Sequence, residues 1–198
     1  MTLDQFRPHV KVYLDPLVAI ALRFRITPNI LTIAAFFASA AAGLLFFFRM
    51  EVWAVLAVAL NAFFDALDGA VAREMKIQSL RGDFLDHAVD RYADIFIITG
   101  IFAGGLVPWQ IGVLALTGVL MSSYLGTQAQ AVGVGRYYGG LLGRADRLVL
   151  ILVVGIIDLF IPLSYFGLGW LGWLLVMFGV FGHITAFQRF MYVWAKVE

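Results

Sequence analysis

The side chains best suited to chemistry in this chain are acidic, and they are concentrated in one short stretch. Seven of the 13 Asp and Glu residues fall between positions 65 and 94, although only 14% of the 198 residues are charged. These seven are Asp65, Asp68, Glu74, Asp83, Asp86, Asp90 and Asp94. Residues three or four positions apart share one face of a helix, so Asp65 pairs with Asp68 and Asp86 pairs with Asp90. Four carboxylates brought together repel one another unless cations lie between them, and such oxygen ligands suit Mg2+, Mn2+ or Ca2+.

A second set of residues beside these acids is suited to a phosphate group. Gly69 and Ala72 leave room for a ligand near the first acidic pair, and Gly82 does so at the start of the next helix. Arg73 lies a little over one turn beyond Asp68 and can neutralise a phosphate. Together these residues predict a site for a metal-bound diphosphate. Two structural alternatives stay open: the acids pair with neighbouring arginines, or the small residues only pack helices.

The composition indicates that a membrane protein positions these residues. Hydrophobic residues make up 62% of the chain, and the mean hydropathy is +0.91. A soluble domain carries roughly 45–50% apolar and 25% charged residues, so most soluble enzymes are excluded. The net charge of +1 excludes bulk electrostatic attraction to nucleic acid. The absence of cysteine excludes disulfides and thiolate metal sites.

The predicted fold class is an all-α polytopic membrane protein with six transmembrane helices. About 20 apolar residues cross a bilayer, and six such spans can be drawn along the chain. They run over about residues 30–49, 52–72, 84–106, 108–133, 146–166 and 168–193. No internal repeat or linker divides the sequence, so residues 1–198 are predicted to form one domain. The apolar runs are too long, and alternate too little, for barrel strands.

An amphipathic helix is predicted ahead of these spans, within residues 1–25. Phe6, Val10 and Tyr13 recur at helical spacing opposite charged residues. This pattern is typical of a helix that lies along the membrane interface, and a solvated surface helix is the alternative. Thr27 is expected to cap the first span, with Pro28 at its first helical position.

Basic residues set the expected orientation. They recur in the N-terminal segment, in the second-to-third and fourth-to-fifth connections and in the tail, whereas the other three connections contain only Arg49. Positive charge favours the cytoplasmic side, so both termini and the acidic site are predicted to be cytoplasmic in an integral membrane protein of the cell membrane. The short loop between the second and third spans makes them antiparallel neighbours, whose acidic ends can face each other.

Taken as a pattern, residues 65–90 resemble the signature of the CDP-alcohol phosphotransferase (phosphatidyltransferase) family. The pattern is Asp65-x2-Asp68-Gly69-x2-Ala72-Arg73-x8-Gly82-x3-Asp86-x3-Asp90. The resemblance extends along the whole chain, with an interfacial N-terminal helix and six spans, and the run 27–32 resembles the entry to the family's first span. It implies attack of an acceptor hydroxyl on the phosphorus of a CDP-activated lipid, with release of CMP.

The resemblance also assigns roles to individual residues. It implies that two divalent ions, Mg2+ or Mn2+, are held by Asp65, Asp68, Asp86 and Asp90. Asp90 would also be the catalytic general base. The implied contacts to the CDP-linked donor are Asn29, Gly69, Ala72, Arg73, Ser79 and Gly82. The chemistry is compatible, because divalent ions polarise a diphosphate and a carboxylate can accept the hydroxyl proton.

The acceptor side is indicated by the segment Gly139-Gly140-x2-Gly143-Arg144-Ala145-Asp146-Arg147. It resembles the pocket of the branch that uses inositol phosphate, the phosphatidylinositol-phosphate and archaetidylinositol-phosphate synthases. This implies acceptor-phosphate contacts at Arg144, Arg147 and Arg189. An arginine inside a span is also a functional candidate because of its cost, with snorkelling to the interface as the alternative. That branch carries a basic residue after a tyrosine, and residues 124–130 here contain none, so glycerol phosphate is the alternative acceptor.

Two other classes of membrane protein also place acids in their spans. A prenyltransferase would need an aspartate at position 69, which is Gly69, and a second acidic cluster further along the chain. A cation transporter would spread its acids through the bilayer depth, usually with an internal repeat.

The expected partners are a CDP-lipid, a phosphorylated polyol and the lipid bilayer, without nucleic acid. The family resemblance also implies a homodimer.

Overall fold

The computed structural model describes residues 7–77, 79–137, 139–162 and 164–197, with side chains from residue 13 onward. These residues form seven α-helices and no strand, apart from one isolated bridge between Tyr165 and Leu168. The helices are α1 (Arg7–Arg23), α2 (Pro28–Phe47), α3 (Glu51–Met75), α4 (Leu80–Ala103), α5 (Trp109–Ala131), α6 (Arg144–Phe160) and α7 (Trp170–Trp194). The first six residues of the predicted interfacial helix lie outside the described residues, and α1 covers most of the rest.

Four helices are long and apolar enough to cross a membrane by length and composition: α2, α3, α5 and α7. The chain is therefore an all-helical polytopic membrane protein, as its composition predicts. Helix α6 has only 17 residues and ends at Phe160, several residues before the expected end of the fifth span. Pro162 explains this early end, because proline cannot continue a helix. The count of six spans stays a prediction.

The residues at the helix ends determine where α2 and α4 begin and where α3 ends, close to the acidic residues. Thr27 is extended and Pro28 begins α2, as predicted, although the Thr27 side chain makes no capping hydrogen bond. The Ser79 hydroxyl caps α4 by accepting a hydrogen bond from the Gly82 N–H at 3.0 Å. Helix α3 ends at Met75, and the next residue, Lys76, adopts a left-handed conformation with φ of 52°. Only residues 76–79 therefore separate α3 from α4, which keeps their acidic ends together.

Glycine allows two pairs of helices to approach closely. A Cβ built at Gly100 of α4 would overlap the Gly43 carbonyl of α2, and a Cβ at Gly182 of α7 would lie 2.7 Å from the Gly118 carbonyl carbon of α5. Close backbone approach of this kind is the usual way in which helices associate in a membrane. The α2–α4 and α5–α7 pairs, together with α3 and α6, surround one large apolar core.

Helix α1 is attached to this bundle by a separate, small core. Val18 and Ala21 of α1 are buried against Leu31 of α2 and against Leu67 and Val71 of α3. The opposite side of α1 is open, since Tyr13 is 78% exposed. Burial on one side is typical of an amphipathic helix, although Tyr13, which the sequence pattern places on the apolar face, lies on the open side.

Candidate active site

Carboxylates from two helices converge where α3 ends and α4 begins. Asp65 and Asp68 of α3 and Asp86 of α4 each bring one carboxylate oxygen within 4.8 Å of the other two. Asp86 forms a second such group with His87 and Asp90. Convergent carboxylate oxygens are the ligands that Mg2+ and Mn2+ prefer, so these residues fit a divalent cation. We call Asp65, Asp68, Asp86 and Asp90 the carboxylate cluster.

Helix α2 supports the carboxylate cluster from one side. Helices α3 and α4 each pack against α2 more extensively than against each other, which differs from the direct packing expected from their short loop. The carboxylates of the two helices nevertheless reach each other beside α2. The Thr32 hydroxyl of α2 donates a hydrogen bond to Asp68 Oδ2 at 2.7 Å, and both residues are buried. Thr32 therefore orients one of the candidate metal ligands.

The residues expected to hold the nucleotide form two groups beside the carboxylates. The Arg73 guanidinium lies over Gly69, where a Cβ would be 3.2 Å from Arg73 Nη1. Asn29, Ser79 and Gly82 meet at the start of α4: a Cβ on Gly82 would lie 3.3 Å from Ser79 Oγ and 3.7 Å from Asn29 Oδ1. Glycine at both positions thus leaves the neighbouring polar atoms accessible to a ligand.

Arg144, the first residue of α6, contacts both sides of the carboxylate cluster. Its Nη1 donates a hydrogen bond to Asp65 Oδ1 at 2.8 Å, and its Nη2 lies 2.7 Å from Asp90 Oδ1. Arg91 lies next along the chain from Asp90 and is less close, with 3.8 Å between Nη2 and Asp90 Oδ2. The cation nearest to Asp65 and Asp90 therefore comes from a distant part of the sequence.

Arg147 lies one turn further along α6 and is buried. Its Nη2 donates a hydrogen bond to Asp94 Oδ2 at 2.7 Å, with Ser123 Oγ at 3.4 Å. The side chain of Arg147 is only 2% exposed and that of Asp94 only 5%. This buried ion pair connects α6 with α4, and Ser123 adds a contact from α5.

Arg189, on α7, supports the glycine-rich segment, which contains Gly139, Gly140 and Gly143 and leads into α6. Its Nε donates a hydrogen bond to the Gly139 carbonyl at 2.8 Å, and its Nη1 donates one to the Ser122 carbonyl at 2.6 Å. The Thr185 hydroxyl accepts a further hydrogen bond from the Leu142 N–H at 3.3 Å. We call Arg144, Arg147 and Arg189 the arginine cluster. The structure thus brings the three predicted arginines to the same end of the bundle, each already bonded to protein oxygens.

An exposed ion pair joins the start of α4 to the segment after α5. Arg136 donates hydrogen bonds to both carboxylate oxygens of Asp83, at 3.0 and 2.6 Å. These hydrogen bonds hold the pKa of Asp83 below its usual range, and partial desolvation only weakens the effect. His87 also faces Asp83, with 3.4 Å between Nε2 and Oδ1.

Three residues of this site were assigned no role from the sequence, namely Thr32, Asp94 and Ser123. A signal existed for Asp94, because it continues the spacing of four that relates Asp86 to Asp90. Thr32 and Ser123 offered no such signal, since each forms its hydrogen bond with a residue of a different helix, Thr32 with Asp68 and Ser123 with Arg147. The acids were also expected to pair, if at all, with nearby arginines. The partners of Asp65, Asp90 and Asp94 instead include arginines of α6.

Comparison with known proteins gives a consistent result over most of the chain. A family profile described as CDP-alcohol phosphatidyltransferase matches residues 25–184. An archaetidylinositol phosphate synthase of Pyrococcus horikoshii is 36% identical over 156 residues, which cover 79% of this chain and 83% of that protein. A protein of the same name from Methanothermobacter thermautotrophicus is 32% identical over 196 residues, which cover 99% of this chain and 96% of that protein.

Solved structures of Mycobacterium tuberculosis phosphatidylinositol phosphate synthase have a similar fold at 28% identity. The structure with CDP-DAG bound superposes with a TM-score of 0.78, covering 91% of this chain and 93% of that one. The structure in complex with manganese and citrate gives a TM-score of 0.80, covering 91% and 88% of the two chains. The similarity therefore includes the helices that carry the carboxylate and arginine clusters.

Proposed function

Because the chain belongs to the CDP-alcohol phosphatidyltransferase family, we propose that it transfers a phosphatidyl- or archaetidyl-type group from a CDP-lipid to a hydroxyl of inositol phosphate. It is a phospholipid-synthesising transferase of the membrane that binds divalent metal. The names of its archaeal and bacterial relatives support inositol phosphate as the acceptor. The observation that carries the proposal is the convergence of Asp65, Asp68 and Asp86 oxygens within 4.8 Å inside the family's motif.

We propose the following arrangement in the membrane. The chain forms one domain over residues 1–198, with an interfacial α1 and six spans. Helices α4 and α6 therefore cross the membrane as well as α2, α3, α5 and α7. Both termini and the carboxylate cluster face the cytoplasm, which is supported by the basic residues in the connections at that end. The enzyme acts as a homodimer.

The metal site is the carboxylate cluster. Asp65, Asp68, Asp86 and Asp90 would hold two Mg2+ or Mn2+ ions, a number supported by the two groups of convergent ligand atoms, which share Asp86. When bound, such ions neutralise the donor diphosphate and stabilise the charge that develops on the leaving phosphate. Thr32 orients Asp68 for this role through its 2.7 Å hydrogen bond.

The CDP-linked donor lies beside the carboxylate cluster. We assign its contacts to Asn29, Gly69, Ala72, Arg73, Ser79 and Gly82. The Arg73 guanidinium supplies positive charge for a phosphate, and the two glycines let the nucleotide approach the backbone. Gly69, Ala72 and Arg73 follow Asp65 and Asp68 on α3, and Gly82 precedes Asp86 on α4, which supports a donor diphosphate bound at the carboxylate cluster.

Asp90 is the general base of the transfer. The acceptor hydroxyl oxygen forms a bond to the phosphorus of the lipid-linked phosphate, and the bond from that phosphorus to the oxygen of CMP breaks. CMP leaves with the electron pair, and the hydroxyl proton passes to a carboxylate oxygen of Asp90. Asp90 is suited to this role because it lies where the carboxylate cluster meets Arg144.

The acceptor phosphate is bound by the arginine cluster. The Nε atoms of Arg144 and Arg147 are buried and have no hydrogen-bond partner among the described residues, so both can donate to a phosphate. Arg189 acts at the same end, beneath the glycine-rich segment that it supports. Because three guanidinium groups suit a dianion, a phosphorylated polyol should be preferred to a neutral alcohol.

The experiment that tests this function is an acceptor screen with the purified protein in lipid nanodiscs. CMP release and the lipid product would be measured with CDP-linked diacyl and dialkyl lipids, each offered inositol phosphate, glycerol phosphate, serine or free inositol. We expect the fastest release with inositol phosphate. Faster CMP release with glycerol phosphate would show that glycerol phosphate is the acceptor instead of inositol phosphate. A preference for serine or free inositol would show that the arginine cluster does not bind an acceptor phosphate. No CMP release from either donor would overturn the proposed function.

A further inference from the structure

The buried pair between Asp94 and Arg147 has a geometry that a structural ion pair would not need. Only Nη2 of Arg147 donates to Asp94, at 2.7 Å, whereas the most stable arginine–carboxylate contacts are bidentate. The Nε of Arg147 is buried and has no hydrogen-bond partner among the described residues. The guanidinium is therefore held at one amino group, and its Nε–H stays available.

Because Arg147 is buried, its guanidinium needs a partner such as Asp94. Arginine stays protonated in proteins, and Arg147 is 2% exposed. A buried cation without a partner strongly destabilises a fold, while two buried charges together are often no better than two neutral groups. The pair thus explains how Arg147 can lie inside the bundle, but stability alone gives no reason for having a charged pair there.

The position of the pair points to the reacting centre. Asp90 and Asp94 lie one turn apart on α4, and Arg144 and Arg147 lie one turn apart on α6. The contact of Arg144 with Asp90, at 2.7 Å, and that of Arg147 with Asp94, also at 2.7 Å, therefore form two successive links between the same helices. Helix α6 packs mainly against α3 and α7, so these side chains fix its distance from the proposed base.

We propose that Asp94 is a positioning residue for the acceptor. Its carboxylate holds Arg147 so that the free Nε–H faces the acceptor phosphate while the acceptor hydroxyl lies against Asp90. Ser123 Oγ, at 3.4 Å, limits rotation of the same guanidinium. Asp94 touches neither substrate and acts only through Arg147. The inference rests on the proposed function, in which Arg147 binds that phosphate.

A double-mutant cycle on the full chain in nanodiscs tests this. Asp94→Ala, Arg147→Gln and the double variant would be compared for the KM of inositol phosphate, the KM of the CDP-lipid and the melting temperature. We expect each single variant to raise the acceptor KM about tenfold, as for the loss of one charged hydrogen bond, with the donor KM changed less than twofold. The double variant should be no worse than Arg147→Gln alone, since Asp94 acts through Arg147.

Two further variants separate positioning from folding. If Asp94→Ala proves too unstable to assay, Asp94→Asn replaces it. Asp94→Asn keeps an oxygen that can accept a hydrogen bond from Nη2, so its acceptor KM should stay close to that of the wild type. The pair Asp94→Asn with Arg147→Gln removes both charges and should regain the wild-type melting temperature. Its acceptor KM should stay high. Recovery of the acceptor KM together with the melting temperature would overturn the inference and leave a purely structural pair.

The exposed pair of Asp83 and Arg136 provides the matched control. It also joins α4 to the chain before α6, but neither residue belongs to the proposed substrate contacts, so Asp83→Asn should leave both KM values unchanged. Failure of the two proposals is distinguishable. If Arg147→Gln leaves the acceptor KM unchanged, its role in the proposed function is wrong. If Arg147→Gln raises that KM but Asp94→Ala does not, only the positioning role of Asp94 is wrong.

Discussion

The carboxylate cluster and the arginine cluster lie side by side, but they are assembled in different ways. The carboxylate cluster takes all of its members from α3 and α4, which only residues 76–79 separate. The arginine cluster takes its members from α6 and α7, and their partners lie on α3, α4, α5 and the glycine-rich segment. Arg144 is the contact between the two clusters, because it reaches both Asp65 and Asp90.

This difference has a chemical consequence. The carboxylates repel one another and lack enough cations of their own, so their function depends on bound metal. The arginines are proposed to contact only one of the two substrates, the acceptor, so the loss of one of them should impair that substrate and leave part of the activity. We therefore expect changes in the carboxylate cluster to remove activity, and changes in the arginine cluster to weaken one substrate selectively.

The largest expected effect is that of removing the metal. Chelation should abolish CMP release, because the carboxylates cannot hold a diphosphate without cations between them. Asp68→Asn should act in the same way by weakening Mn2+ binding, measured by calorimetry on the purified protein. Undiminished turnover in metal-free buffer would contradict the metal site, and normal Mn2+ affinity in Asp68→Asn would exclude Asp68 as a ligand.

The second effect separates catalysis from binding within the carboxylate cluster. Asp90→Asn should lower kcat by about 100-fold or more, since the amide cannot accept the hydroxyl proton. Donor binding should stay largely intact because the convergent group of Asp65, Asp68 and Asp86 remains complete. The control is Asp158→Asn, an acid at the opposite end of the bundle that accepts a hydrogen bond from the Trp170 N–H at 3.2 Å. Full activity in Asp90→Asn would exclude Asp90 as the general base.

The third effect belongs to the arginine cluster and should be smaller and selective. Arg189→Lys keeps the charge but loses the planar fork that reaches Gly139 and Ser122, so the acceptor KM should rise about tenfold. The KM of the CDP-lipid should change by less than about twofold. Arg49→Gln is the matched control, because Arg49 also donates to a carbonyl, that of Gly104, but at the opposite end. Equal increases of both KM values in Arg189→Lys would remove the contrast between the clusters.

The same contrast explains how much the sequence could predict. Spacings of three and four within α3 and α4 are local, so helix periodicity was enough to place Asp65 with Asp68 and Asp86 with Asp90. The partners of Arg147 and Arg189 depend on how α6 and α7 pack against α4 and α5, which no spacing in the sequence determines. The end of α6 at Phe160 was misjudged for a related reason, because the apolar run continues past Pro162 and hydropathy alone does not detect the break.

The smallest expected effect concerns the Asp83–Arg136 pair, which joins the start of α4 to the segment before α6. Since Arg136 lowers the pKa of Asp83, the pair stabilises the fold above the unfolded pKa of about 4 and loses its effect as the pH falls through the folded pKa. The side chain of Asp83 is 43% exposed, so the contribution should be only about 0.2–1 kcal/mol. Arg136→Gln should therefore lower the melting temperature slightly at pH 7 and by progressively less as the pH falls below about 4. A large loss of stability, or one that persists in acid, would mean that the carboxylate and arginine clusters depend on this pair for their relative position.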